Sequence, residues 1–125
     1  MLLTIIVFIF ILGLLVLVHE FGHFIVAKKS GVKVEEFGLG IPPRIWKIKK
    51  GDTIYSINLI PLGGFVKLYG EDKTEVQHLK DPKSFTSKSS LIKKLIISAG
   101  VIMNLLLAVL IFYFLMASNG FKFQE

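Results

Sequence analysis

Two blocks of the chain are apolar at nearly every position, and the segment between them is not. In residues 1–27, Leu2, Leu3, Ile5, Ile6, Val7, Phe8, Ile9 and Phe10 show no polar face, as a helix surrounded by lipid or by other helices requires. Residues 91–117 have the same character. Each block is long enough to cross a hydrocarbon core about 30 Å thick. Between them the period changes to two. Trp46 and Ile48 alternate with Lys47 and Lys49, Tyr55, Ile57 and Leu59 alternate with Ser56 and Asn58, and Val66 and Leu68 flank Lys67. This predicts strands, with a turn at Gly51-Asp52 and a second break at Pro61-Leu62-Gly63-Gly64. The run Phe37-Gly38-Leu39-Gly40-Ile41-Pro42-Pro43 reads as a glycine and proline loop, and residues 71–90 as a polar loop or short surface helix. The expected architecture is a membrane protein, α with a small β element. Two transmembrane helices, 1–27 and 91–117, flank a β-hairpin or meander region, 28–90, and 118–125 form a tail expected on the extracytoplasmic side.

Charge sharpens the placement. Of the fifteen Lys and Arg residues, all but Lys122 lie between Lys28 and Lys94. Basic residues collect on the cytoplasmic side of a membrane, so the 28–90 region is expected in the cytoplasm. The protein is expected to be multi-pass in the cell inner membrane, with membrane lipid as its surroundings. The net charge of +6 is then a topology signal and not a reason to expect nucleic acid. Lys28 and Lys29 close the first span, Ser30-Gly31 ends its helix, and Lys93 and Lys94 anchor the second. The first block carries no positive charge ahead of its apolar run and no small-residue cleavage pattern after it, so it reads as a retained span rather than a signal peptide. There is no cysteine, so thiolate metal ligands are absent.

One polar cluster interrupts the first span: His19-Glu20-Phe21-Gly22-His23. Histidines four residues apart lie one turn apart on one helix face, the spacing at which two imidazoles bind one zinc ion. Glu20 between them is placed to act as general base on a zinc-bound water. Ionisable groups inside an apolar span are costly, which argues for function over accident. The competing reading is two stray histidines and a glutamate at a membrane boundary. His78 reads as a solvated loop histidine rather than a third ligand. Gly13, Gly22 and the small run Ser98-Ala99-Gly100 permit close helix approach, and Asn104 suits a helix-to-helix hydrogen bond.

These residues carry a resemblance. Val18-His19-Glu20-Phe21-Gly22-His23-Phe24, Phe37-Gly38-Leu39-Gly40, Ile60 to Lys67, Phe85-Thr86-Ser87-Lys88-Ser89 and Ser98-Ala99-Gly100 with Asn104 occur in the order found in the site-2 protease family of intramembrane zinc metalloproteases. The chain looks like the amino-terminal part of the regulator of sigma-E protease type. The resemblance implies that His19 and His23 bind Zn2+ and that Glu20 is the general base. It also implies that the region after the first span is a membrane-associated β structure near the active site, holding substrate as an added strand. Gly38, Leu39, Gly40, Gly63, Gly64 and Asn104 are the substrate-binding candidates on that basis. Strand addition suits a protease, because main-chain hydrogen bonds to a sheet edge keep a substrate extended.

Two departures accompany it. Val101 stands where the family commonly has proline after Ala-Gly. The family also continues with an extracytoplasmic PDZ-type region and further spans, one bearing a zinc-binding aspartate in a Leu-Asp-Gly context. Here the only aspartates are Asp52, Asp72 and Asp81. The expected partners are transmembrane protein substrates, together with a second chain or a carboxy-terminal half that completes the zinc site. The alternative is a non-catalytic membrane adaptor, against which the intact Glu20 speaks, since a pure binder has no chemical need of it. A lipid-surface module built on the basic loop is weaker still, because its lysines are scattered among acids.

Overall fold

The computed structural model describes residues 1–71 and 80–120; Asp72 and His78 fall outside the described residues. The element order is α1 (Leu2–Lys29), β1 (Val34–Lys50), β2 (Thr53–Leu68), a 3-10 turn (Phe85–Ser87) and α2 (Ser90–Asn119). Both helices are long and apolar enough to cross a membrane. Most of their large side chains lie exposed, including Leu3, Phe8 and Phe10 on α1 and Leu106, Phe112 and Phe114 on α2. Neither helix is largely buried by the described residues. Apolar surface on this scale marks contact with lipid or with other protein.

The helix ends follow local chemistry. At the end of α1 the Ser30 and Val32 amides donate to the Val26 and Ala27 carbonyls, and Gly31 adopts φ +80, the left-handed turn that lets a chain leave a helix. α2 begins at Ser89, whose side chain accepts a hydrogen bond from the Ile92 amide. The small buried core gathers where these ends meet. Ala27, Val32, Val34, Leu68 and Ile96 are buried together, with Phe24, Val66 and Phe85 packed around them.

β1 and β2 form one two-stranded antiparallel sheet, but each strand is bent. Residues 44–50 and 53–58 make the expected hairpin about Gly51-Asp52, with Lys50 opposite Thr53 and Arg44 opposite Asn58. The first half of β1 is paired on both sides. Phe37 faces Val66 on one side and Tyr55 on the other, and Gly38 likewise faces Phe65 and Ser56. Residues 64–68 are thereby left at the outer edge.

This corrects two sequence expectations. The 37–43 run is strand and not loop, and Pro61-Leu62-Gly63-Gly64 bends β2 without ending it. Glycine and proline here turn the strand instead of terminating it. Gly40 has φ +84, and a Cβ built on it lies 2.8 Å from the Ile60 carbonyl oxygen, so only glycine fits the bend. The ladder passes from Ile41 to Arg44, skipping the two prolines that have no amide hydrogen to contribute. The 80–90 segment is a loop, but not a freely solvated one. The Lys33 amide donates to the Lys83 carbonyl and the Phe85 amide to that of Tyr69, and Ser84 is fully buried.

Candidate zinc centre and cleft

The His-Glu-x-x-His turn of α1 lies against α2 at two glycines. At Gly22 a built Cβ falls 2.5 Å from the Ala99 carbonyl oxygen, so the two helices approach backbone to backbone. At Gly100 a built Cβ falls 2.6 Å from the Nε2 atoms of both His19 and His23. The absent side chain of Gly100 thus leaves the space that the edges of both rings approach.

The rings meet edge to face, with centroids 4.8 Å apart and Nε2 atoms 3.1 Å apart. Two nitrogens on one tetrahedral zinc, each about 2.0–2.1 Å from it, stand roughly 3.3 Å apart. The observed separation is within a few tenths of that value. His23 Nδ1 lies 2.7 Å from the Ile96 carbonyl oxygen. A carbonyl can only accept, so Nδ1 carries a hydrogen, and a ring with that single hydrogen has its Nε2 lone pair free for a metal. On the other ring, Asn104 reaches from α2 to within 3.4 Å of His19 Nδ1. The pair therefore fits zinc in the spacing of its two nitrogens, and His23 fits it in its outer hydrogen bond as well. Among the described residues no third His, Cys, Asp or Glu joins it.

Glu20 and His23 open into a cleft of about 270 Å³ walled by Gly64, Phe65, Val66 and Ile97, with Glu71 also on its lining. Its wall is the outer edge of β2. Gly64 brings that edge close: a Cβ built on it lies 3.1 Å from Val16 Cγ1 and 3.4 Å from Glu20 Cγ. The other sequence candidates separate from this group. Gly63, Leu39 and Gly40 line a different groove of about 330 Å³ beside Gly13, Leu14 and Leu17, almost wholly apolar. Gly38 lies beneath the Phe65 ring, where a side chain would collide with it. Phe37 packs edge-on against Phe24 of α1 at 5.3 Å, so this part of the sheet does turn toward the helix, whereas Trp46 stays half exposed. Nothing local in the sequence distinguishes Glu71 from the other acids of its polar stretch.

The chain's residues 7–125 match the model of peptidase family M50. It is 44% identical over 107 residues to a provisionally named zinc metalloprotease of Clostridium perfringens, covering 86% of this chain and 31% of that protein. It is 43% identical over 117 residues to similarly named proteins of Clostridium acetobutylicum and Helicobacter pylori, covering 94% and 91% of this chain and 33% of each of those proteins. The chain belongs to peptidase family M50, the family of the site-2 proteases. It spans about a third of the length of these curated relatives.

Proposed function

We infer that this chain carries the amino-terminal part of the active site of a zinc endopeptidase that cuts transmembrane protein substrates within the inner membrane, with its 28–90 region on the cytoplasmic side. The observation that supports the reading is the 3.1 Å separation of the His19 and His23 Nε2 atoms beside Gly100, with Glu20 on the adjoining cleft. Among the described residues His19 and His23 would hold the metal, with a carboxy-terminal half or a second chain as the source of further ligands.

Bound zinc supplies positive charge that acidifies a water and polarises a peptide carbonyl. Glu20 takes the water's proton as attack begins and returns it to the leaving amine. The 64–68 edge of β2 offers main-chain groups to a substrate drawn out of its helix, which exposes carbonyls that a helix keeps hydrogen-bonded. The apolar surround strengthens each of these charge interactions.

The test is Glu20→Gln in the full-length protein, assayed for cleavage of a membrane-embedded substrate and for bound zinc. Cleavage is expected to fall by about 10²–10⁴-fold, the usual weight of a general base, with zinc retained. Full cleavage by the variant would overturn the reading. The 125-residue chain alone, with two zinc-ligand candidates among its described residues where a catalytic zinc normally takes three protein ligands, is expected to be weakly active or inactive.

A further inference from the structure

We propose that Asn104 is a positioning residue for zinc: its side-chain oxygen holds His19 in the tautomer that turns a bare Nε2 toward the metal. The proposal deepens the zinc reading above and rests on it.

The hydrogen bonds around the pair run in one direction as the atoms stand. Asn104 places Nδ2 at 3.4 Å from His19 Nδ1, the two Nε2 atoms stand 3.1 Å apart, and His23 Nδ1 donates to the Ile96 carbonyl. Follow the hydrogens from the fixed end. His23 has its hydrogen on Nδ1, so its Nε2 can only accept. An amide nitrogen donating to His19 Nδ1 forces the His19 hydrogen onto Nε2, where it points at His23. That arrangement is self-consistent, and it bars zinc from His19, because the metal needs the lone pair that the hydrogen occupies.

For both Nε2 lone pairs to face one cation, His19 must carry its hydrogen on Nδ1 and stay neutral overall. Nδ1–H then needs an acceptor. Asn104 has one: its Oδ1 is buried and has no hydrogen-bond partner among the described residues. Oxygen and nitrogen of an amide occupy nearly equivalent positions, so a half-turn about the last side-chain bond exchanges them and brings Oδ1 to His19. The two histidines are then held alike, each by an outer oxygen acceptor, the Ile96 backbone for His23 and the Asn104 side chain for His19. Such outer acceptors orient a ligating imidazole and raise its basicity. Asn104 can do this because it stands one turn beyond Gly100 on α2, on the face that already meets α1.

The test compares Asn104→Leu and Asn104→Asp in the full-length protein in detergent, with zinc affinity read by competition against a chelator. Leucine keeps the bulk and removes the acceptor. Aspartate keeps the acceptor and, when ionised, has no donor. Asn104→Leu is expected to weaken zinc binding on the order of tenfold to a hundredfold, while Asn104→Asp stays within a few-fold of the parent. A role in helix packing alone predicts the reverse order, since leucine packs in the span better than a carboxylate. Undiminished affinity in Asn104→Leu would overturn the proposal, as would equal loss in both variants. Should Asn104→Leu fail to fold, Asn104→Asp decides alone: retained affinity supports the oxygen contact and a tenfold loss overturns it. Absence of zinc from the parent protein would instead strike the function proposed above.

Discussion

Two of the clefts along α1 where it meets the sheet differ in kind. The cleft beside residues 20–23 holds Glu20 and His23. The groove beside residues 9–17 is walled by Ile9, Phe10, Leu14 and Leu17, and its one amide, Asn58, is occupied by the Leu39 and Gly40 carbonyls. The same helix and the same strand build both. Adjacent residues of β2 divide between them, Gly64 against Glu20 and Gly63 against Ile41. Successive strand residues face opposite sides, so one step along the chain moves a position from the reactive cleft to the inert groove. A conspicuous cavity is therefore a poor guide to chemistry in this protein. The larger of the two has almost wholly apolar walls, and the smaller has the groups that can move a proton.

The contrast can be broken by filling the reactive side. Gly100→Ala puts a methyl 2.6 Å from both histidine nitrogens, so zinc affinity is expected to fall on the order of a hundredfold, as read by chelator competition. Unchanged affinity would mean that the metal does not use this space. One turn of helix away, Gly22→Ala presses on the Ala99 backbone, which cannot yield without parting the helices. It is expected to cost about 1–3 kcal/mol in stability, measured by thermal unfolding in detergent. Gly64→Ala should act more mildly. Its methyl meets the Gly38 carbonyl oxygen at 2.9 Å and narrows the wall beside Glu20, so cleavage efficiency is expected to drop about tenfold with zinc affinity unchanged. The smallest effect belongs to the inert groove. A Cβ built on Gly13 meets nothing within 4 Å, so Gly13→Ala should leave zinc and cleavage as they are. If it stabilises α1, the gain should be no more than about 1 kcal/mol. Loss of cleavage in Gly13→Ala would abolish the distinction between the two clefts.

The chain's order of residues alone determined the two long apolar helices, the hairpin about Gly51-Asp52 and the His19-Glu20-His23 spacing. These are local matters: helix and strand periods, turn chemistry and a one-turn repeat are written within a few residues of one another. It did not determine that the 37–43 run and Pro61 to Gly64 would be bends within strands, because that depends on pairing with Tyr55, Ser56, Phe65 and Val66, as many as 29 positions away. Gly100, legible only as a small residue suited to helix contact, became the space beside two histidines once α2 was laid on α1. Asn104, legible as a polar side chain in a span, acquired a definite partner 85 positions distant, while Glu71 joined the Glu20 cleft without any local signal. Only tertiary structure could decide these, because a hydrogen-bond partner or a shared cleft is a property of two segments brought together, and neither segment records the other.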